Sequence, residues 1–220
     1  MTDQIFDFTT ESPNNFEQKN LCVLLLDTSG SMNGKPLAEL QKGLELFYEE
    51  IREDPVMSNR LEIAIITYDS LVEIKQLPAL VDDFKMPLLK VRGMTSMTEG
   101  IKSAIELIEE RKDWYKQTGQ PYYRPWIIMM TDGEPNDGSN IPELANKIQQ
   151  DVDNKHYFFF AVGVEGANMQ ILEELSSTQM SPAKIEGLKF SSFFKWLSQS
   201  INTSQNDDDW LEEFKLPEIN

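Results

Sequence analysis

Five oxygen-bearing side chains stand where the chain could assemble a site for a divalent cation. Asp27, Ser29 and Ser31 have the spacing Asp-x-Ser-x-Ser, so one tight loop can aim three oxygens at a single point. Thr95 and Asp132 lie in two later loops. Mg²⁺ prefers six hard oxygen ligands and keeps several waters, and the two aspartates would balance its charge. These residues predict a Mg²⁺ site with an open coordination position, and Mn²⁺ or Ca²⁺ are alternative ions.

The elements that must position these residues alternate along the chain. Apolar runs and period-two alternation predict five strands, at 21–26, 61–68, 71–77, 126–130 and 157–164. Apolar residues at helical spacing predict three amphipathic helices, which begin at Pro36, after Ser96 and near Ile141. Two shorter helices are expected at 168–176 and 191–201. Ser96 and Glu99 have the Ser-x-x-Glu form of a capping box for the second helix.

This order predicts an α/β fold: an open, mostly parallel, doubly wound (Rossmann-like) sheet with helices on both faces. The alternating strand at 71–77 is expected to form an antiparallel edge. Ligands of such sheets bind at the carboxyl ends of the strands, where the winding reverses. Strands that end at Asp27, near Arg92 and at Asp132 would deliver the five candidate residues to that edge.

The motifs resemble a known family. Asp27-Thr28-Ser29-Gly30-Ser31 after an apolar strand, Thr95 before a helix and Thr131-Asp132-Gly133 after a second apolar strand are similar to the metal-ion-dependent adhesion site of von Willebrand factor type A (VWA) domains. The resemblance covers roughly residues 21–201. The wording DTSGSM and TDGEP is similar to the bacterial TerY/YegL-like branch, which is associated with tellurium-resistance and stress-resistance gene clusters. The family loop commonly has Gly-Gly-Thr, whereas this chain has Gly93-Met94-Thr95.

The resemblance implies a division of the chain and a function. It implies a VWA domain at 21–203, followed by an acidic C-terminal tail at 204–220. The residues at 1–20 are polar and have no sustained period, so they are expected to form an N-terminal extension, either a tail or a peripheral strand laid over the domain. The hydroxyls of Ser29, Ser31 and Thr95 would contact Mg²⁺, and Asp27 and Asp132 would act directly or through water. The open position would accept an Asp or Glu carboxylate from a partner protein. Family context names a protein kinase or a PP2C-type phosphatase as candidate partners, in a stress response.

Composition narrows the function classes. The chain has 20 Lys and Arg against 37 Asp and Glu, a formal net charge of −17, which disfavours nucleic acids and anionic membranes as partners. No transmembrane run and no secretory leader are evident, and the single Cys22 cannot form an internal disulfide. A cytoplasmic protein is therefore expected. His156 is the only histidine, and a surface or strand-end position is expected for it, whereas Cys22 is expected in the core.

Two function classes remain open. The first is a non-enzymatic binding module, and the alternative is a Mg²⁺-dependent hydrolase that uses the same metal. No base is evident near the three loops, where Glu134 is the only spare acid, so binding is favoured over hydrolysis. A structural role without metal is a weaker possibility. The tail around Trp210 and Phe214 is either a solvated acidic segment or a docking segment with aromatic anchors.

Two other ligand-binding motifs are excluded, because the sequence lacks residues that they require. Gly30 to Pro36 is similar to a phosphate-binding loop, but the glycine spacing is one residue short and Pro36 replaces the required Ser or Thr. A calcium loop starting at Asp132 would need glycine where Asp137 stands and a helix where a strand precedes it.

Overall fold

Six strands and six helices form the described part of the chain. The computed structural model describes residue 6 and residues 8–132, 140–164, 166–185 and 190–203, the last five of these as backbone only. The strands are β1 (Asn20–Asp27), β2 (Leu61–Tyr68), β3 (Val72–Ala79), β4 (Trp126–Thr131), β5 (Phe158–Gly163) and β6 (Ala183–Lys184). The helices are α1 (Lys35–Glu53), α2 (Met57–Arg60), α3 (Met97–Thr118), α4 (Ile141–Asp153), α5 (Met169–Leu175) and α6 (Phe190–Thr203).

The strands form one sheet in the order β3-β2-β1-β4-β5-β6. Every neighbouring pair is parallel except β2 and β3, which are antiparallel. β1 lies between β2 and β4, so the winding reverses beside β1. The doubly wound α/β fold and its antiparallel edge strand are confirmed, and the reversal places the ligand-binding edge at the carboxyl ends of β1 and β4.

Continuous apolar strands pack on both faces of the sheet. In β1 the side chains of Cys22, Leu24 and Leu26 enter a core with α1 and α6. The alternate side chains of β1 enter a second core with α3, α4 and α5. Because successive side chains of a strand point to opposite faces, helices on both faces bury the whole apolar run. Cys22 is buried and unpaired, as expected of a core residue.

Most predicted elements are confirmed to within a few residues, and three short ones were missed. The missed elements are α2, β6 and a turn of 3-10 helix at Gly30–Met32. Each has four residues or fewer, which is too short for a hydrophobic period to be recognised.

Two predictions about the segment before α3 are wrong. No strand ends near Arg92, because residues 80–96 form turns and irregular backbone, and the Arg92 N–H donates to the carbonyl of Thr28 at 2.9 Å. Ser96 is the N-cap residue of α3, but its side chain makes no capping hydrogen bond. Glu99 forms an ion pair with Lys102 at 2.8 Å. The segment is therefore held by contacts with other loops.

The residues before β1 contact the domain closely. Phe6 and Phe8 are buried in the core on the α3 face. Lys19 is 1% exposed, and its ammonium donates to the carbonyls of Glu17 and Asn59 at 3.2 and 3.1 Å and to the side chain of Asn15. The division at residue 20 stays a prediction, but part of the preceding segment packs as core.

Several sequence predictions lie outside the described residues. They concern Gly133 of the third motif, the spare acid Glu134, Asp137 of the rejected calcium loop, and the acidic tail at 204–220. Within the described residues, each helix is too short or too polar to cross a membrane.

Candidate metal centre

Asp27 lies at the reversal point of the sheet, where β1 ends beside β4. Its carboxylate is buried, and both oxygens accept hydrogen bonds from the protein. Oδ1 accepts from the backbone N–H of Ser29 at 2.8 Å, and Oδ2 accepts from the hydroxyl of Thr131 at 2.6 Å. Thr131 is the last residue of β4 and immediately precedes Asp132. The first hydrogen bond shapes the loop after β1, and the second connects that loop to β4.

Three further oxygens form a chain in front of Asp27. The hydroxyls of Ser29 and Ser31 are 3.2 Å apart, and the Ser31 hydroxyl donates to Oδ1 of Asp132 at 2.7 Å. Oxygens about 2.1 Å from Mg²⁺ in an octahedron lie roughly 3.0 Å from their neighbours. The two spacings fall on either side of that distance but are also ordinary hydroxyl hydrogen-bond lengths, so the suitability for a small hard cation rests on the oxygen chemistry of the donors.

Thr95 is brought to the same edge by backbone hydrogen bonds between loops. The N–H of Gly30 donates to the carbonyl of Gly93 at 3.0 Å, and the N–H of Arg92 donates to the carbonyl of Thr28. Thr95 itself is buried, at 3% exposure. The structure thus joins Asp27, Ser29, Ser31 and Asp132 directly and fixes the Thr95 loop beside them.

Gly93 is required for the shape of this loop. Its φ is +25°, and a Cβ built on it would lie 2.0 Å from the Ser70 hydroxyl. Any side chain at position 93 would therefore displace Ser70. The next side chain, Met94, is 60% exposed. Met94 is therefore accommodated because its side chain extends into solvent.

Asp69 was missed by sequence reasoning and connects the loop after β1 to the Thr95 loop. Its buried carboxylate accepts hydrogen bonds from the Thr28 hydroxyl and from the Leu71 N–H, both at 3.0 Å. Its carbonyl accepts from the N–H of Ser96 at 2.8 Å, next to Thr95. Asp69 is thus a positioning residue. The only sequence signal was its place directly after the apolar strand β2, the same place that Asp27 has after β1.

The fold disfavours the charged forms of both aspartates of the candidate site. Burial raises the pKa of Asp27, and the charge of Asp132 raises it further, although hydrogen bonds from Ser29 and Thr131 lower it. Burial likewise raises the pKa of Asp132, opposed by the hydrogen bond from Ser31. A bound cation would stabilise both charged forms. Within the described residues no three His, Cys, Asp or Glu side chains cluster, so the other candidate ligands are hydroxyls.

His156 lies at the amino ends of the strands, away from the candidate metal centre. It precedes β5, and its Nδ1 is 3.8 Å from Oε1 of Glu109 and 4.0 Å from Oδ1 of Asp151. The candidate metal centre is at the carboxyl ends of the strands, whereas His156 is at the amino end of β5. The expected strand-end position is confirmed.

Comparison with known proteins identifies the family. The model of the von Willebrand factor type A domain matches residues 22–186, which include all five predicted site residues. The chain belongs to the VWA domain family. Its matched relatives include the inter-alpha-trypsin inhibitor heavy chain H3 of Mus musculus, 27% identical over 172 residues. That match covers 68% of this chain and 18% of the relative, so the chain corresponds to about a fifth of that protein.

Solved structures show the same VWA fold. A von Willebrand factor type A protein from Catenulispora acidiphila matches with a TM-score of 0.61 and 14% identity, over 84% of this chain and 43% of that chain. The pilus adhesin SpaC from Lactobacillus rhamnosus GG matches with a TM-score of 0.66 and 12% identity, over 86% of this chain and 31% of that chain. At these identities the likeness concerns the fold alone.

Proposed function

We propose that this VWA domain is a Mg²⁺-dependent protein-binding module whose metal takes a carboxylate from a partner protein. The observation that carries the proposal is the chain of oxygens from Ser29 through Ser31 to Asp132, in front of the buried carboxylate of Asp27. These oxygens lie at the carboxyl ends of the strands, where ligands of doubly wound folds bind. VWA domains mediate protein–protein interactions, which supports a protein partner.

Each residue has a defined part in this proposal. The hydroxyls of Ser29, Ser31 and Thr95 would bind Mg²⁺, and Asp132 would bind directly or through water. Both Asp27 oxygens already accept hydrogen bonds from the protein, which favours contact through a metal-bound water. Mn²⁺ and Ca²⁺ use the same kinds of oxygen ligand and are the alternative ions.

Binding without catalysis is the favoured form of the proposal. The one histidine lies at the opposite edge of the sheet, so it cannot act as a base beside the metal. The structural relative SpaC is a pilus adhesin, and adhesion is a binding function. We expect no metal-dependent turnover of phosphate esters, nucleotides or peptides by the chain. Turnover that Asp132→Ala abolishes would favour the hydrolase alternative.

The cellular setting is proposed on narrower grounds. The sequences DTSGSM and TDGEP support the TerY/YegL-like branch. In that branch the partner would be a kinase or a PP2C-type phosphatase in stress signalling. A cytoplasmic location accords with the single cysteine. The matched relatives reported above are inter-alpha-trypsin inhibitor heavy chains and not TerY/YegL-like proteins. Isolating partners from the native host in Mg²⁺ and in EDTA, followed by mass spectrometry, would identify the setting.

Thermal unfolding in a Mg²⁺ titration tests the metal site. Mg²⁺ that binds only the folded state adds RT ln(1 + [Mg²⁺]/Kd) to stability, about 2.7 kcal/mol at 100 times Kd. We expect the double variant Ser29→Ala/Ser31→Ala to remain folded and to lose most of this shift. Ser12→Ala, at a serine that is exposed like Ser31 but lies outside the loops of the site, is the control and keeps the full shift. An undiminished shift in the double variant would disprove the assigned site.

A further inference from the structure

Two large apolar side chains are exposed beside the candidate metal centre. Leu71 and Met94 are each 60% exposed. Leu71 follows the turn after β2, whose last residue, Tyr68, pairs in register with Asp27. Met94 directly precedes Thr95. Both side chains therefore lie on loops that border the proposed binding position.

Hydrogen bonds hold these two loops in place. The Met94 N–H donates to the Ser70 hydroxyl at 2.8 Å, and the Leu71 N–H donates to Oδ1 of Asp69 at 3.0 Å. Asp69 also accepts from the Thr28 hydroxyl in the loop after β1. The backbone on which the two apolar side chains stand is thus fixed to the candidate metal centre.

We infer that Leu71 and Met94 form an apolar rim that selects the residues next to the coordinating carboxylate. This inference rests on the proposed function. Once a carboxylate is bound at the metal, neighbouring side chains of the same segment must lie against the rim. Apolar side chains there would remove Leu71 and Met94 from water, whereas charged ones would lose hydration against these two apolar side chains.

The occupant is a linear segment of a partner protein with one Asp or Glu beside an apolar residue and with basic residues further away. The formal net charge of −17 disfavours an acidic partner beyond the single coordinating carboxylate. It also disfavours a second copy of this chain, because two such copies repel each other. Basic flanking residues would be attracted over the same range.

A displayed library of random linear peptides tests the inference. The library is selected on the wild-type chain in Mg²⁺ and in EDTA, and then on Leu71→Ser/Met94→Ser. The matched control is Phe16→Ser, because Phe16 is 69% exposed and precedes the amino end of β1. The Mg²⁺ melting shift of each variant is measured first, and the two single variants are used if the double variant does not fold.

We expect wild type and Phe16→Ser to enrich an acidic residue with an adjacent Leu, Ile, Met or Phe, in Mg²⁺ only. The rim variant should keep the acidic residue and the Mg²⁺ requirement but lose the apolar preference. A selected peptide should bind the rim variant about tenfold more weakly. Acidic peptides without apolar preference, or an unchanged preference in the rim variant, overturn the rim while the proposed function stands.

Two other outcomes count against the proposed partner segment. Absence of any Mg²⁺-dependent acidic peptide overturns the proposed function, and the rim falls with it. Sedimentation velocity measures whether a second copy of this chain occupies the rim instead. A Mg²⁺-dependent dimer of the wild type that Leu71→Ser/Met94→Ser abolishes would assign the rim to a second copy of the chain and overturn the partner segment.

Discussion

Asp27 and Asp132 show how a fold can hold two carboxylates close together at a stability cost. Burial raises the pKa of both, and the charge of Asp132 adds to the effect on Asp27. A raised pKa means that the fold favours the protonated acid. Without metal, the contribution of these groups to stability therefore falls as pH rises from 3.8, the ordinary aspartate pKa, through the raised folded values.

Asp132→Asn tests this electrostatic strain. Asn keeps an oxygen that accepts the Ser31 hydrogen bond but removes one of the two charges. In EDTA at pH 7.5 we expect a higher unfolding midpoint than wild type. At pH 4.5 the difference should narrow, because wild-type carboxylates begin to protonate.

In saturating Mg²⁺ the order should reverse, since only wild type retains both carboxylates for the metal. Differential scanning calorimetry at the two pH values, with and without Mg²⁺, measures all four conditions. A variant that is less stable than wild type in EDTA at pH 7.5 would show that Asp132 is not strained there.

At the scale of the elements, a buried ion pair fixes α3 to β2. The pair lies near the amino ends of the strands, opposite the candidate metal centre. Arg111 of α3 donates to both carboxylate oxygens of Glu62 in β2, at 2.9 and 2.8 Å, and both residues are 3% exposed. The Tyr115 hydroxyl donates to the same carboxylate at 2.6 Å, and Arg111 also donates to the carboxylate of Glu11 at 2.6 Å. The pair orients the helix that begins directly after the Thr95 loop.

Glu62→Gln should lower the free energy of unfolding by roughly 3 kcal/mol, because it leaves the buried guanidinium with only the half-exposed carboxylate of Glu11 as an ionic partner. Glu62→Met/Arg111→Met should recover part of that loss, since apolar residues of similar size carry no buried charge. Urea unfolding measures both. The Mg²⁺ melting shift should be unchanged in both variants, because Glu62 pairs in register with Leu21 at the start of β1, away from the candidate metal centre. A loss below about 1 kcal/mol would mean that the pair contributes little.

At the scale of the whole molecule, the formal net charge of −17 opposes the approach of any carboxylate-bearing partner. Attraction must then come from basic residues around the coordinating acid. Long-range attraction controls how fast the partner arrives, whereas the metal bond controls how long it stays. The two contributions can be separated kinetically.

Binding kinetics with a selected peptide or an identified partner test this separation. Raising the salt concentration should slow association, because the Debye length is about 10 Å at 0.1 M and shortens further. EDTA or Ser29→Ala/Ser31→Ala should chiefly speed dissociation. Association that is insensitive to salt would mean that no basic surround steers the partner. Affinity that survives EDTA would direct attention to another surface.

The sequence by itself determined the order of the main elements and most of the candidate metal centre. Apolar runs such as β1 and β4 are local patterns, and a parallel strand that is buried on both faces of the sheet usually has such a continuous apolar sequence. Asp27, Ser29 and Ser31 lie within five positions, so their spacing alone brought them together. The doubly wound order then placed Asp132 beside them, and hydrogen bonding between Ser31 and Asp132 agrees with that placement.

Only the tertiary structure decided how the loops are joined and what surrounds the centre. Thr131 bonds Asp27 across 104 positions, and Thr28 bonds Asp69 across 41. No strand ends close to Thr95, and its loop is held by loop-to-loop hydrogen bonds. Glu62 occupies a strand that its neighbours make apolar, yet it is buried with Arg111. Such contacts depend on how distant segments meet in space, whereas periodicity and spacing record only what lies nearby along the chain.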